Sequence, residues 1–347
     1  MLEGQVSILS SKLLNTSKVI ELLKALRKSS LYCSDRASYL LQPDKDLPTF
    51  LEKNKVSKEE ATNNSLLSKM LEDGFKGIIE KDLQGQIRFN GNFRNSEEVG
   101  IALNTLNESP YAKLIQQEKE NVKQIFEDTF QHRTFTGRSS AFFAFEGLGS
   151  IYWHMVSKLI FAIQENVIAA ENRKEKDILN HIYKETFEGL GIHKSPHKYG
   201  AFPTDPYSHT PKHTGAQQPG MTGQVKEDIL SRFGELGVTI DNGIISFNPQ
   251  LIEKKELKAE ANTFHYYSLE KKWETIELPA NSLAFTYCQV PIVYSHGNEL
   301  QLKIHLNDGT TLEKDTTSLN TEESESVFHR RDEIAAIYVQ FPSTQFI

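Results

Sequence analysis

The sequence predicts an α+β chain in two parts, a helical portion over residues 1–236 and an antiparallel β-sandwich over residues 237–347. Three observations carry this expectation. Apolar residues recur at helical spacing up to about residue 190, and short alternating runs replace them from Val238 onward. The length of 347 residues exceeds one average domain of about 150.

In the first part, helices are expected near 5–28, 58–82, 95–106, 110–132, 147–170 and 174–189. Val122, Ile125, Phe126 and Phe130 share one stripe, and Ile151, Met155, Leu159, Ile163 and Val167 repeat every fourth residue. The latter helix is apolar nearly all round, as one inside a helical barrel or bundle should be. No short solenoid repeat is present. Between Gly189 and Gly223 the periodicity stops, and Pro196, Pro203, Pro206, Pro211 and Pro219 accompany six glycines and four histidines. Irregular segments longer than about 12–15 residues are usually functional or disordered. This one carries Tyr199, Phe202 and Tyr207 rather than disorder-promoting charge, so the loop 190–223 is expected to be functional. Val225, Ile229, Leu230 and Phe233 then define one more amphipathic helix, ended by Gly237.

The second part reads as strands at 238–240, 244–247, 282–289, 292–295, 300–306 and 335–340. Asp241-Asn242-Gly243 and Asn307-Asp308-Gly309 carry hairpin-turn chemistry, because Asn and Gly tolerate positive φ. The stretch 310–325, dense in Thr, Ser and Glu, is expected to be an exposed loop.

Composition narrows the function. With 38% hydrophobic and 24% charged residues the chain is of globular type. Ser150–Gln164, the longest apolar-rich stretch, is interrupted by His154 and Lys158 and is too short to span a bilayer. The first twenty residues, with Glu3, Gln5, Ser10, Ser11 and Asn15, lack the basic start and apolar block of a secretory signal, so a cytoplasmic location is expected. Lys and Arg number 39 against 46 Asp and Glu, a formal charge of −7 without a basic run, so neither nucleic acid nor membrane is an expected partner. Cys33 and Cys288 form no CxxC or disulfide pattern, which suits a reducing compartment.

Two constellations carry possible chemistry. In Glu146-Gly147-Leu148-Gly149-Ser150-Ile151-Tyr152-Trp153-His154, two glycines lead into the apolar helix and place a histidine near its start. Free N–H groups and the helix dipole there favour an anion, and an imidazole adds a hydrogen bond or charge; the competing account is a satisfied core histidine. In Gly215-Ala216-Gln217-Gln218-Pro219-Gly220-Met221-Thr222-Gly223, Thr222 is placed to cap the next helix. Alternatively its hydroxyl and the Gly223 and Gln224 amides face a phosphate or sugar hydroxyl, with Gly223 allowing close approach. Gln217 and Gln218 suit hydroxyl recognition. His193, His197, His209 and His213 lack accompanying cysteines or a helical HExxH, so no metal site is expected. A nucleophile elbow, a phosphate-binding P-loop and a dinucleotide fingerprint are all missing. Arg138 reads as a surface ion pair or as an aid to an anion.

The Gly-Ser-Ile-Tyr-Trp-His run opening a helix, the loop ending in Met221-Thr222-Gly223, the helix ending Leu236-Gly237-Val238 and the hairpin ending Phe247-Asn248-Pro249 resemble inverting glycoside phosphorylases of the cellobiose phosphorylase type. That resemblance covers about 140–250. From Tyr32 to the β tail the chain is similar to the C-terminal part of large bacterial proteins related to those enzymes. The resemblance implies a six-hairpin, (α/α)6-barrel portion, incomplete here, followed by a jelly-roll β-sandwich. It implies phosphate binding by His154 and by Thr222-Gly223, which are 68 residues apart. Two departures stand out. The family's catalytic aspartic acid would fall before Met1, and its phosphate-site glutamine would fall near Pro203–Asp205, where there is none.

The expectation is therefore the C-terminal portion of an inverting phosphorylase-like enzyme acting on oligosaccharides, with phosphate as co-substrate and no other cofactor. Inversion needs a protonated carboxyl on the leaving side and phosphate, or water activated by a second carboxylate, on the other. With phosphate, His154, Thr222 and Gly223 hold the nucleophile; with water, Glu146 or Asp205 would have to act as base. Gln217, Gln218, Tyr207 and His213 are the candidate substrate contacts. Expected partners are oligosaccharide, phosphate, and a missing N-terminal barrel portion or a second copy. The alternatives are a hydrolase-like portion, or a non-catalytic carbohydrate-binding or assembly module.

Overall fold

The computed structural model describes residues 1–44, 48–131, 148–212, 214–220, 223–342 and 345–346. The chain divides into two compact units, one built from 1–41 and 151–347 and the other from 42–150. The division runs elsewhere than the boundary expected at 236/237.

The first unit opens with α1 (Leu2–Ser10) and α2 (Thr16–Lys28). A single helix was expected over 5–28. The break lies at Lys12, which takes a positive φ, and at Asn15, whose side chain accepts the Lys18 N–H and caps α2. A small hairpin, β1 (Tyr32–Cys33) and β2 (Ser38–Tyr39), follows.

Residues 42–150 hold α3 (Phe50–Lys53), α4 (Lys58–Asn63), α5 (Ser65–Glu72), the hairpin β3 (Ile79–Lys81) and β4 (Ile87–Phe89), α6 (Ser96–Asn104) and α7 (Ala112–Phe130). The helix expected over 58–82 stops twice. Asn64 caps α5 through the Leu67 N–H, and the chain beyond Gly74, at φ +66, becomes a strand. Leu66, Leu67, Met70, Phe89, Val99, Leu103, Val122, Phe126 and Phe130 form a core of this unit's own.

The first unit resumes with β5 (Ile151–Tyr152), α8 (Trp153–Ala169), α9 (Arg173–Glu188), α10 (Pro196–Tyr199), β6 (Tyr207–Thr210), β7 (Gln217–Pro219) and α11 (Gly223–Glu235). Helix α8 is central, with α1, α9 and α11 packed on it. Leu159, Ile163 and Val167 are fully buried, and a Leu→Ala change at such a site costs about 2–5 kcal/mol. The described helices do not close into the expected (α/α)6 barrel. Helices α3–α7, which the sequence reading placed in the barrel portion, bury their apolar faces in the second unit instead.

Beyond α11 come the hairpins β8 (Val238–Asp241) with β9 (Ile244–Phe247) and β10 (Asn262–Tyr267) with β11 (Trp273–Leu278). The first turns through Asn242 and Gly243, both at positive φ as its turn chemistry requires. Strands β12 (Ser282–Tyr287), β13 (Val290–Gly297), β14 (Gln301–Leu306), β15 (Thr311–Lys314) and β16 (Ile334–Pro342) form one sheet in the order β12-β13-β16-β14-β15. Strands β13 and β16 pair in parallel, so the sheet is mixed. The expected antiparallel sandwich is thereby corrected: among the described residues the other sheets of this region are two-stranded. The stretch 310–325 is no exposed loop, since it carries β15 and the start of α12 (Thr321–Phe328). An Asn320/Glu323 capping box starts that helix, and Ser324, fully buried, accepts the Ile245 N–H.

Candidate functional site

The loop expected to be irregular over 190–223 contains α10, β6 and β7, and it returns to the head of α8. Strand β6 pairs Thr210 with Ile151 and His209 with Tyr152, while β7 sets Gln217 opposite His209. One buried contact and one part-buried pair hold this return in place. The Trp153 indole N–H donates to Thr210 Oγ1 at 2.8 Å, and the Arg36 guanidinium donates to the carbonyls of Thr210 and Pro211 at 3.1 and 3.0 Å.

Helices α8 and α11 run side by side in the same direction. His154 meets Gly223 and Glu227, Ser157 meets Asp228, and Gln164 meets Ser231 further along. The two helix beginnings therefore lie together, and their positive dipole ends share one region. A Cβ on Gly223 would run into Cε1, Nε2 and Nδ1 of the His154 ring. Gly223 is required there for close approach, and what approaches it is the imidazole.

The electrostatics are mixed. His154 Nε2 lies 3.3 Å from Glu227 Oε1, and the Glu227 side chain is only 5% exposed. Lys226 Nζ stands 3.7 Å from the same oxygen. Ser157 Oγ donates to Asp228 Oδ1 at 3.3 Å, and partial burial of that carboxyl raises its pKa above the ordinary 3.8, the Ser157 bond and the Glu227 charge acting less strongly. Deeper in the seam, Gln164 Nε2 donates to the Ser231 carbonyl at 2.7 Å, and the Tyr183 hydroxyl donates to Glu235 Oε1 at 2.7 Å. Desolvation first, then the Glu235 charge, drives the Tyr183 pKa far up, so its hydroxyl stays a donor.

The sequence reading missed Glu227 and Asp228 because it took Val225, Ile229, Leu230 and Phe233 as the buried face of α11. The structure buries Gln224, Glu227 and Ser231 instead and leaves Ile229 54% exposed. The available signal was the 224–227–231 spacing, a polar stripe that an apolar moment does not register.

The remaining candidates fall as follows. Gln217 and Gln218 are exposed on β7, Gln217 donating to the Gly215 carbonyl at 3.2 Å and Gln218 taking a positive φ. Tyr207 is half-buried, edge-on to Tyr199 at 5.8 Å. Tyr199 itself packs against Trp153 in the core, so it is no platform for a sugar face. Asp205 sits exposed in a turn, its N–H bonded to the Phe202 carbonyl. Glu146, His213 and Thr222 lie outside the described residues, as does Arg138. His193 packs at a tilt against Phe187, and His197 is exposed. Among the described residues no three His, Cys, Asp or Glu side chains converge as a metal site would require, and no helix is long and apolar enough to cross a membrane.

A family model described as GH149 phosphorylase insertion domain 2 matches residues 47–133. The match lies inside the 42–150 unit. It supports a relation to glycoside phosphorylases, and it bears neither on the cellobiose phosphorylase type nor on a C-terminal position. A comparison with curated proteins returned no match.

Proposed function

We propose that the chain is a carbohydrate-active, phosphorylase-like protein whose anion site lies at the paired beginnings of α8 and α11. The observation that carries this reading is the packing of the His154 ring on Gly223, the first residues of two parallel helices meeting at one end. The match over 47–133 supports the phosphorylase class independently of that geometry.

In this reading phosphate is the co-substrate and needs no general base. The imidazole of His154, the Thr222 hydroxyl and the backbone amides opening α11 hold it for attack on the anomeric carbon from the face opposite the leaving oxygen. Gln217, Gln218, Tyr207 and His213 contact the oligosaccharide. The acid that protonates the leaving oxygen is assigned in this reading to a companion barrel portion or a second copy; Asp205, a candidate base of the hydrolytic alternative, is exposed in a turn. Glu227 supports a second reading. A carboxylate 5% exposed and within 3.3 Å of His154 is placed to activate water, which would make the reaction hydrolytic.

The test is turnover of a gluco-oligosaccharide panel with and without phosphate. Sugar 1-phosphate released only with phosphate supports phosphorolysis, equal turnover without it supports hydrolysis, and saturable binding without turnover supports the binding-module alternative. His154→Ala and Thr222→Ala should each lower phosphate affinity at least tenfold with the fold intact. Unchanged affinity in both removes the site.

A further inference from the structure

A cleft of about 280 Å³ lies on the first unit, away from His154 in sequence and lined by one face of α9. Arg173, Lys176, Asp177 and Asn180 occupy positions i, i+3, i+4 and i+7 of that helix and form one wall. Asn248 and Gln250, just after β9, form the other, with Gln345 and Phe346 completing it. Most of its polar groups brace one another. Lys176 Nζ donates to Gln250 Oε1 at 2.8 Å, Gln345 Nε2 to Asn248 Oδ1 at 2.6 Å, and Arg173 Nε to Asp177 Oδ1 at 3.1 Å. One group is left over. Asn180 is 8% exposed, and its Oδ1 is closed off from solvent without a hydrogen-bond partner among the described residues.

Buried acceptors are nearly always paired, so an orphan lining a cleft asks for a donor from the occupant. Sulfate offers none at neutral pH, and phosphate, which keeps a P–OH, would bring its charge against Asp177 while Arg173 and Lys176 are already engaged. A metal cation would meet Arg173 and Lys176, which repel it. A sugar ring supplies hydroxyls that donate and accept, matching side-chain amides that do both, and Phe346 gives its carbon face an apolar wall. The volume corresponds to about nine waters at ~30 Å³ each, enough for one ring.

We propose that this cleft binds a single hexose unit of a glycan, with the Asn180 side chain turning toward the occupant so that Oδ1 accepts from a ring hydroxyl, at a site separate from that of His154. The choice of a sugar among hydroxyl-bearing ligands rests on the carbohydrate-active reading. The requirement for a donor does not.

Saturation-transfer NMR with glucose, galactose, mannose and cellobiose on the whole chain tests it, with inorganic phosphate as competitor. At least one sugar should bind saturably and lose at least tenfold in affinity in Asn180→Leu. Gln345→Ala, which alters a partly exposed side chain and spares the core, should show the same loss. Binding should persist in His154→Ala and be indifferent to phosphate. The proposal is overturned if none of the four sugars binds, if binding survives both cleft variants, or if phosphate displaces it. Failure of phosphate binding to depend on His154 and Thr222 would remove the anion site while leaving the cleft result standing.

Discussion

Both the 42–150 unit and the α8–α11 seam bury polar side chains, but they finish the job differently. In the former, Asn54 is 3% exposed and closes on the backbone of Phe89 twice, donating at 3.1 Å and accepting at 3.0 Å. Asn64 accepts the Leu67 N–H at 2.9 Å and donates to Asn121 and Glu118 at 2.7 and 3.1 Å. In the seam, the His154–Glu227 and Ser157–Asp228 contacts are both 3.3 Å, longer than the usual range for such bonds, and three of the four groups carry or can carry charge. Polar groups that close on one another hold a fold. Groups left at arm's length keep capacity for a ligand, and this difference separates a self-closed unit from the candidate site.

Removing apolar mass from the 42–150 unit should have the largest effect on stability. Phe126→Ala, at a fully buried ring packed on Phe89 and Phe130, is expected to cost about 3–5 kcal/mol. Urea unfolding measures this, and phosphate affinity should not change. If affinity falls with it, the two regions are not separable. Asn54→Leu should cost about 1–3 kcal/mol by leaving both Phe89 groups unpaired. Its midpoint shift should again come without loss of phosphate affinity.

Gly223→Ala should invert that pattern. The new methyl overlaps the His154 ring, so stability should fall by about 1–3 kcal/mol from overpacking while phosphate affinity drops at least tenfold. Equal phosphate affinity in this variant would mean the ring position does not matter to the anion. The smallest effect is expected at Asp228. Its native pKa is raised, so between pH 3.8 and the native value the folded chain holds a proton that the unfolded chain has lost. Stability therefore falls as pH rises through that window and stays lower above it. Melting temperatures of Asp228→Asn and wild type should agree at low pH and diverge in favour of the variant as pH rises. Coincident curves would mean this carboxyl is solvated as freely as any surface acid.

Much of the helical framework was legible because periodicity reports burial against apolar neighbours. α6, α7 and α9 lie within two or three residues of their expected limits. The breaks were missed where one asparagine decides, at Asn15, Asn64 and Asn320, although Asn320-x-x-Glu323 is a readable capping box. That α3–α7 share a core of their own was not legible, because an amphipathic helix does not state which core it faces. The heads of α8 and α11 were found from glycines and a helix-start histidine. Glu227 and Asp228 were not, because their contacts with His154 and Ser157 exist only once another helix lies beside them.

A contact well along the helix pair from the candidate site has a bearing on how well it is aimed. Gln164 lies over Gly234, where any Cβ would strike its amide, and hooks the Ser231 carbonyl. This works as a pawl against sliding: shifted by one turn, the glutamine would have neither its notch nor its catch. The alignment of the imidazole over Gly223 is thus set about three turns below, and a bulkier residue at 234 would detune the head of the pair without touching it.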